Sequence, residues 1–362
     1  SSRVLPIRHA RTTVVMIPFF MAPGDTHPWV HARSGPRRSS RSVPFRKSKR
    51  SLIKLAAICI SPARGTEKHT IPEGHFIPDF GIEGDAHAGT WHRQVSLLSY
   101  NKVEEFNKRG ANVGDGAFGE NLVVDGIDFR ALPVGTRLYA GTVELRMTQI
   151  GKECHSHCAI YHRVGECIMP REGVFAEVVK EGIIRPGDIM RVEAPDENRP
   201  FTAAVIVLSD KGSKGEREDL SGPAAGDMLK EAGYDVVERF VIPDEPEVLK
   251  HHLVRLADSR QVDLVVTSGG TGFSMRDQTP EATLAVADRN APGIAEYIRM
   301  KSMQITDRAM LSRGVSVIRK KTLIVNLPGS PKAVKESLGF ILGALDHGLK
   351  ILRGTASECA RK

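Results

Sequence analysis

Residues 263–283 read DLVVTSGGTGFSMRDQTPEAT, and the C-terminal half of the chain is arranged around them. The stretch begins with a short apolar run at 264–266 that contains two valines, which predicts a buried parallel strand. The run leads into the glycine loop, which consists of Thr267, Ser268, Gly269, Gly270, Thr271 and Gly272. Glycine lets the backbone turn sharply and approach a ligand closely, and hydroxyl groups donate hydrogen bonds to anionic oxygens.

A carboxylate and a predicted helix start follow the glycine loop. Asp277 comes first, and the residues TPE at 279–281 then predict a helix with Thr279 as its N-cap and Pro280 at its first position. Amide groups, a carboxylate and a helix N-terminus together suit a phosphate with its metal ion. A glycine-rich loop alone is equally typical of a simple turn, so the acid and the helix start are what favour a binding site.

The sequence around this stretch alternates apolar strands with helices. Strands are predicted at 203–208, 235–241, 264–267, 315–319 and 322–326. Helices are predicted at 223–232, 245–260, 280–287, 293–305 and 331–353. This alternation predicts a three-layer α/β fold, in which helices cover both faces of a mostly parallel sheet.

Other polar segments of this half follow strands or open helices. They are Ser209 with Asp210, Ser221 with Gly222, Asp244, and Asn326 with Pro328, Gly329 and Ser330. Ligands of parallel sheets bind beyond the carboxyl ends of the strands. We therefore expect these segments and the glycine loop to form one pocket at a single edge of the sheet.

The central motif resembles the catalytic loop of the molybdopterin adenylyltransferases, the MogA/MoaB-like family. That loop has the pattern strand, [TS]-[TS]-GGTG, four residues, D, one residue, TPEAT, and the whole pattern is present here. The similarity continues in SDKGSKGEREDLSGP (209–223), IPDE (242–245), NLPGSPKAV (326–334) and DHGL (346–349). The lysine of a GxxxxGK[ST] loop and the GxGxxG spacing are both absent, so this is neither of the two commonest nucleotide loops.

The resemblance implies a reaction as well as a fold. The terminal phosphate of molybdopterin would attack the α-phosphorus of MgATP, which gives adenylylated molybdopterin and pyrophosphate without pyridoxal phosphate. The resemblance assigns Asp277 and Asp244 to catalysis and to Mg²⁺, and it places the loops at 268–272 and 326–330 around the phosphates and the pterin. The attacking phosphate is already anionic, so no strong general base is required. A homotrimer is implied by resemblance.

Residues 51–194 predict a different kind of domain. Short apolar runs at 55–60, 94–98, 121–124, 137–139, 143–147 and 189–192 are separated by Gly, Asp and Pro turns, and a helical pattern occurs at 101–109 and 173–180. Many short strands predict a mainly-β barrel or a compact two-sheet domain. The segments GIEGDAHAG (81–89), RQVSLL (93–98), GENL (119–122), 151–178 and RPGD (185–188) resemble the MOSC family. That resemblance implies a β-barrel that binds molybdopterin-type cofactors or carries sulfur on a cysteine.

A group of cysteines carries the chemistry predicted for the MOSC-like domain. Cys154, Cys158 and Cys167 lie among histidines and basic residues, where a thiolate has a lowered pKa and is reactive. This suits persulfide chemistry or ligation of molybdenum. A zinc site is an alternative, although the spacing matches no standard zinc pattern, and ordinary buried cysteines are another. Cys154 is the leading candidate because it follows the predicted strand, and His87 and His92 are candidates for the same pocket.

The net charge of +8 comes from the first 50 residues. They hold nine arginines and two lysines against the single acid Asp25, a net charge of +10, so the remainder carries −2. Overall charge therefore does not support nucleic-acid binding. Residues 1–50 predict a disordered basic extension, although an Arg/Ser-rich and acid-poor segment is also typical of a transit peptide. Residues 195–200 predict a linker, and residues 355–362 a tail.

The number of cysteines and the length of the apolar runs indicate where the protein is located. Five cysteines in an uneven arrangement predict a reducing compartment, with the cytoplasm as the default, and no apolar run is long enough to predict a membrane span. We therefore expect an enzyme of molybdenum cofactor biosynthesis that uses ATP, Mg²⁺ and molybdopterin, with cofactor donor or acceptor proteins as partners. The alternative is a non-catalytic molybdopterin carrier, against which the presence of both Asp244 and Asp277 argues.

Overall fold

The structure is a computed structural model, and it describes residues 52–152 and 167–355. The described residues belong to one compact unit that spans residues 50–362. The predicted basic extension, Cys154, Cys158 and all but the first residue of the predicted tail lie outside the described residues.

The N-terminal part of the unit is rich in β-structure. Its strands are β1 (Lys54–Ile60), β2 (His69–Thr70), β3 (Gly74–Ile77), β4 (Gly81–Ile82), β5 (Val95–Ser99), β6 (Leu122–Asp125), β7 (Arg137–Ala140), β8 (Val143–Ile150), β9 (Val174–Lys180), β10 (Gly182–Ile184) and β11 (Arg191–Glu193). Eight of them form a sheet in the order β11-β7-β8-β9-β5-β6-β1-β2, and β10, β3 and β4 form a second sheet. Two helices, α1 (Tyr100–Lys108) and α2 (Met169–Glu172), are described in this β-rich half.

The eight-stranded sheet is a curled half-barrel. The amide of Leu55 donates to the carbonyl of Asp188 at 2.9 Å, and the amide of Met190 donates to the carbonyl of Ile53 at 2.9 Å. The segment that leads into β11, at one edge of the sheet, thus lies beside β1 near the other edge. The enclosed core is apolar, and its fully buried side chains include Phe76, Leu97, Leu138 and Met147.

The prediction of a helix at 173–180 is wrong, because this segment forms strand β9. It pairs antiparallel with β8 on one side and with β5 on the other. The sequence VFAEVVK has apolar residues spaced for either structure, and its β-branched valines favour a strand once neighbours are available for pairing. The partners are distant in sequence, so a local pattern does not reveal them.

The C-terminal part is an α/β unit with a mixed sheet. Its strands are β12 (Thr202–Leu208), β13 (Asp235–Ile242), β14 (Leu264–Ser268), β15 (Arg289–Asn290), β16 (Ser316–Arg319) and β17 (Thr322–Leu327), in the order β13-β12-β14-β17-β16-β15. The first four are parallel to one another, and the last two are antiparallel to their neighbours. A two-residue turn joins β16 to β17, and such a short connection requires antiparallel strands.

Helices cover both faces of this sheet. They are α3 (Asp210–Ser213), α4 (Ser221–Glu231), α5 (Pro246–Val254), α6 (Thr279–Ala285), α7 (Pro292–Met303) and α8 (Pro331–Arg353). Side chains of β12 alternate between the faces, so Val205 packs into a core with α4, α7 and α8, and Ile206 packs into a core with α5 and α6. Each face thus has its own apolar core, which gives three layers.

Helices α4 to α7 differ from the sequence prediction at their boundaries, by one or two residues except at the end of α5. Helix α6 begins at Thr279, so Gln278 and not Thr279 is the residue at the N-cap position. The segment predicted as one helix at 245–260 is α5 followed by a wider turn of helix at Arg255–Ser259. Helix α8 has the predicted bounds, and the hydroxyl of Ser330 caps it by accepting from the amide of Ala333 at 3.2 Å.

The β-rich half contacts the α/β sheet near the start of β14. The amide of Val134 donates to the side-chain oxygen of Gln261 at 3.0 Å, and the guanidinium of the buried Arg260 donates to the carbonyl of Thr148. Arg260 and Gln261 both precede β14, whereas the glycine loop follows it. The contact therefore lies at the opposite end of the strand from the glycine loop. Among the described residues, no helix combines the length and the hydrophobicity needed to cross a bilayer.

Candidate functional site

Three strand ends of the α/β sheet meet at Gly269. Its amide donates to the carbonyl of Leu327 at 3.3 Å, and its α-carbon lies 3.4 Å from the position that a side chain on Gly329 would take. A Cβ on Gly269 itself would lie 2.6 Å from the carbonyl oxygen of Leu208. Only a glycine allows the loops after β12, β14 and β17 to approach this closely.

Several polar side chains predicted to bind phosphate support the loops from inside. The Ser268 hydroxyl donates to the carbonyl of Pro328 at 3.0 Å. The buried Asn326 amide donates to the hydroxyls of Thr267 at 2.9 Å and Thr283 at 3.0 Å. These groups hold β14, β17 and α6 together. Their assignment to ligand binding stays a prediction.

In two further segments predicted to bind a ligand, Ser209 and Ser221 with Gly222 already form hydrogen bonds within the protein. The Ser209 hydroxyl accepts from the amide of Gly212 at 3.0 Å, at the start of α3. One carboxylate oxygen of Asp219 accepts from the amides of Ser221 at 3.0 Å and Gly222 at 2.9 Å. The start of α4 is therefore already covered by an acid that the sequence did not single out.

Gly270 and Gly272 bring the loop against the candidate acids. Gly270 has φ +64, and a Cβ there would overlap the Thr279 hydroxyl and lie 3.7 Å from a carboxylate oxygen of Asp244. A Cβ on Gly272 would lie 2.8 Å from a carboxylate oxygen of Asp277. The Thr279 hydroxyl is buried without a hydrogen-bond partner among the described residues. An unpaired buried hydroxyl is costly, so this one is poised to bind a ligand.

An acidic cluster lies beside the glycine loop. The amide of Asp210 donates to the carboxylate of Asp244 at 2.9 Å, and the amide of Asp244 donates to the carboxylate of Asp210 at 3.0 Å. The Arg276 guanidinium donates twice to Asp210, both at 3.0 Å, and once to Glu245 at 2.7 Å. The structure thus brings Asp210 and Asp244 together as predicted neighbours, and it adds Glu245 and Arg276 to them.

The two aspartates have shifted pKa values of opposite sign. Hydrogen bonds from Arg276 and from the amide of Asp244 lower the pKa of Asp210. Burial raises the pKa of Asp244, and the charges of Asp210 and Asp277 act in the same direction. A carboxylate with a raised pKa and acidic neighbours favours a positive charge, so this cluster suits a cation.

Arg313, which no sequence motif singles out, holds the turn around Asp277. Its guanidinium donates to the carbonyl of Gly272 at 2.7 Å, to the carbonyl of Asp277 and to the carboxylate of Glu281. The Asp277 carboxylate accepts from the amide of Ser274 at 3.2 Å. Arg313 precedes β16 and is remote in sequence from the loop, so local patterns do not identify it.

The donor set fits a magnesium ion that arrives with a phosphate. Among the described residues, no three His, Cys, Asp or Glu side chains are grouped to hold a metal ion. Mg²⁺ is usually held by only one or two carboxylates, with water and substrate phosphates as its other ligands. Asp244 and Asp277, whose charges interact, are the two carboxylates that could hold such an ion.

In the β-rich half, the two candidate histidines lie in different hydrogen-bond networks. The His87 ring nitrogen Nδ1 lies 3.5 Å from the Ser61 hydroxyl, and burial followed by the charge of Lys68 lowers the pKa of His87. His92 shares a 2.9 Å hydrogen bond with Gln149, and burial lowers its pKa to about 4. Cys167 is half-buried, and it is the one predicted cysteine within the described residues.

A buried ion pair lies beneath His87. Lys68 and Asp85 are 2.9 Å apart with side chains only 2% and 0% exposed. The Asp85 carboxylate also accepts from the amide of Ser61 at 3.0 Å and from the side chain of Asn121 at 3.1 Å. Burial acts to raise the pKa of Asp85, but the Lys68 charge and these hydrogen bonds outweigh it and lower the pKa. The residues GDAHAG and GENL, which carry the MOSC resemblance, therefore meet in one polar network.

Comparison with known proteins agrees with the family resemblance predicted for each half of the chain. The profile of the family described as "Probable molybdopterin binding domain" matches residues 204–347, and the MOSC domain profile matches residues 84–191. The molybdopterin adenylyltransferase of Helicobacter pylori (strain ATCC 700392 / 26695) is 39% identical over 160 residues, which cover 44% of this chain and 91% of that protein. This chain belongs to the molybdopterin adenylyltransferase family. Both resemblances predicted from the sequence are confirmed.

Further relatives match the same C-terminal part of the chain. The molybdopterin adenylyltransferase of Escherichia coli (strain K12) is 45% identical over 136 residues, which cover 37% of this chain and 70% of that protein. A solved structure of the molybdopterin biosynthesis enzyme MoaB from Thermus thermophilus is 44% identical, with a TM-score of 0.41, and covers 42% of this chain and 97% of that one.

Proposed function

We propose that the C-terminal half of this chain is a molybdopterin adenylyltransferase, which transfers the adenylyl group of ATP to the phosphate of molybdopterin and releases pyrophosphate. Family membership supports the reaction class. The observation that carries the proposal for these residues is the contact of three strand ends at Gly269, with Asp244 beside the same loop. We call the edge of the sheet formed by the glycine loop, the loop at 328–330 and the acidic cluster the rim. Its closely packed glycines and its acids, which favour a cation, suit a triphosphate with its metal ion.

The chain's own groups would bind and orient the two phosphates. The amides of Gly270, Thr271, Gly272, Gly329 and Ser330 would donate to phosphate oxygens, and the Thr279 hydroxyl, which has no partner among the described residues, would be a further donor. Asp244 and Asp277 would hold Mg²⁺, which supplies positive charge to the phosphates when it is bound. The nucleophile is already an anion, so the residues accelerate the reaction by positioning and charge neutralisation and not by proton abstraction.

Incubation of the purified chain with molybdopterin, ATP and Mg²⁺ tests this proposal. We expect adenylylated pterin and pyrophosphate in equal amounts. Asp277→Asn and Asp244→Asn should each lower the rate by about 10²–10³-fold, the size seen when one group that stabilises a transition state is lost. Asp227→Asn, an exposed acid on α4, is the matched control and should leave the rate unchanged. An unaltered rate for Asp277→Asn would remove that residue from the mechanism.

We also propose that the MOSC domain binds or sulfurates the molybdenum cofactor through Cys154. The charge of Lys152, two residues before Cys154 in the sequence, contributes to the lowered pKa of His87, which places Lys152 near the buried polar network. Cys154→Ser should abolish persulfide formation or molybdenum loading, measured by mass spectrometry and metal analysis. Full loading in that variant would transfer the role to Cys158 or Cys167.

Assembly and location belong to the same proposal. We propose a homotrimer in the cytoplasm, with molybdenum cofactor donor or acceptor proteins as partners. Light scattering on the purified chain measures the mass directly, and a monomer at micromolar concentration would contradict the trimer. Tight binding of molybdopterin without pyrophosphate release would instead support the non-catalytic carrier.

A further inference from the structure

A narrow crevice next to the acidic cluster is lined in part by Arg276. Its walls are formed by Asp244, Glu245, Arg276, Gln278 and Thr279, together with apolar side chains behind them. The space between these residues is too narrow to admit a water-sized sphere. The unpaired Thr279 hydroxyl lies at this crevice. Arg276 and Thr279 therefore line the same narrow space.

The Arg276 guanidinium supplies positive charge to the acidic cluster, as a metal ion would. It forms a two-pronged hydrogen bond with Asp210 and a third hydrogen bond with Glu245, and Asp210 in turn is joined to Asp244 through backbone amides. These contacts bring a positive charge next to Asp244, one of the two acids proposed to hold the divalent ion, and this charge acts to lower the pKa of Asp244. A guanidinium and a metal ion compete for such a cluster, because the acids are neutralised by either one.

The position of Arg276 also suits a phosphate. It directly precedes Asp277 and lies in the turn that follows the glycine loop. The guanidinium is about half exposed, with 50% of its side chain accessible, so it is free to rotate without unfolding its surroundings. Arginine binds phosphate oxygens with two parallel N–H groups, as it now binds Asp210.

We propose that Arg276 is the charge switch of this site. In the ligand-free chain it neutralises Asp210 and Glu245, and when a nucleotide binds with its divalent cation it leaves these acids and pairs with a phosphate. This inference rests on the proposed function, since it requires a metal–nucleotide complex at the rim. It assigns Arg276 to phosphate binding in one state and to charge compensation in the other.

Binding measurements on the full chain test the switch without turnover. Mn²⁺ binding to the nucleotide-free protein is measured by electron paramagnetic resonance, and MgATP binding by calorimetry. Arg276→Ala should bind Mn²⁺ more tightly, because the positive charge that acts on Asp244 is removed, and should bind MgATP about ten- to hundredfold more weakly, because a charged hydrogen-bond donor to the phosphates is lost. These opposite signs distinguish a switch from a merely structural arginine.

Two further variants control for charge and for folding. Arg276→Lys keeps the charge but not the fork, so we expect Mn²⁺ binding near that of the unsubstituted chain and MgATP binding weakened several-fold. Arg289→Ala removes the same charge from an exposed position on β15 and should change neither affinity. Thermal unfolding of every variant shows whether the fold is retained.

The outcomes separate this inference from the proposed function. Weaker or unchanged Mn²⁺ binding in Arg276→Ala, or MgATP binding that is not weakened, would overturn the switch even if the chain adenylylates molybdopterin. Binding of MgATP with opposite-sign effects but no adenylylated product would leave the switch standing and would overturn the proposed function. A chain that does not bind MgATP at all would overturn both.

Discussion

Replacement of Gly269 by alanine tests the close approach of three strand ends. Gly269 has φ +107, a backbone conformation that L-residues rarely adopt, and the new Cβ would lie 2.6 Å from the carbonyl oxygen of Leu208. The oxygen belongs to the backbone of a buried strand, so it is not able to move aside as a side chain would. The glycine loop itself must shift instead.

The expected cost follows from these two effects. An alanine at positive φ costs about 1–2 kcal/mol, and relief of the overlap requires a displacement of roughly half an ångström at a further cost of about 1–3 kcal/mol. We therefore expect Gly269→Ala to lower the free energy of unfolding by about 2–5 kcal/mol. Because the same loop carries the proposed phosphate donors, the adenylylation rate should fall by about 10²-fold.

Gly233→Ala is the matched control. Gly233 also has positive φ, at +88, but a Cβ there would meet no described atom within 4 Å. It should cost only about 1 kcal/mol and leave the adenylylation rate unchanged. Urea unfolding and initial rates measure both variants. If Gly269→Ala unfolded at the same urea concentration as Gly233→Ala and kept its rate, the packing at Gly269 would not be what shapes the rim.

Three further changes have expected outcomes. Burial acts to raise the pKa of Glu238, but hydrogen bonds and charge from Arg255 outweigh it and lower the pKa to about 2, so roughly 3 kcal/mol of stability should be present above pH 4.5 and lost as the pH falls towards 2. Urea unfolding at stepped pH measures this loss, and Glu238→Gln should flatten it; an equal slope in both proteins would contradict the ion pair. Lys68→Met leaves Asp85 charged and buried and should cost about 3–5 kcal/mol, whereas the same change at the exposed Lys108 should cost almost nothing. Ser330→Ala removes the cap of α8 and should cost about 1 kcal/mol, which Ser330→Asp should restore; no loss in thermal stability would show that the cap is replaced by water.

The parts of the fold that depend on local chemistry were predictable. Helix α8 has the predicted bounds because proline occupies its first turn and a glycine with positive φ ends it at Gly354. Strand β14 and the glycine loop follow from a short apolar run and a glycine cluster. These signals act over a few residues, so the sequence contains them in full.

The parts that depend on distant partners were not predictable. Strand β9 has an apolar spacing compatible with a helix, and its pairing with β5 and β8 decides the outcome. Arg313 reaches the site from a segment that carries no binding motif, and Arg276, although it lies in the central motif, is brought to Asp210 only by the folded chain. The same applies to Asn326, whose side chain supports two threonines from inside the protein.

The glycine loop and the contact with the β-rich half lie at opposite ends of β14. The β-rich half contacts residues just before β14, through Gln261 and Arg260, whereas the glycine loop follows β14 at its other end. Five residues of strand span roughly 16 Å, which separates the glycine loop from this contact. We therefore expect Cys154→Ser to leave the adenylylation rate unchanged, and a rate that falls together with persulfide loading would show that the two sites are coupled through the Arg260 contact.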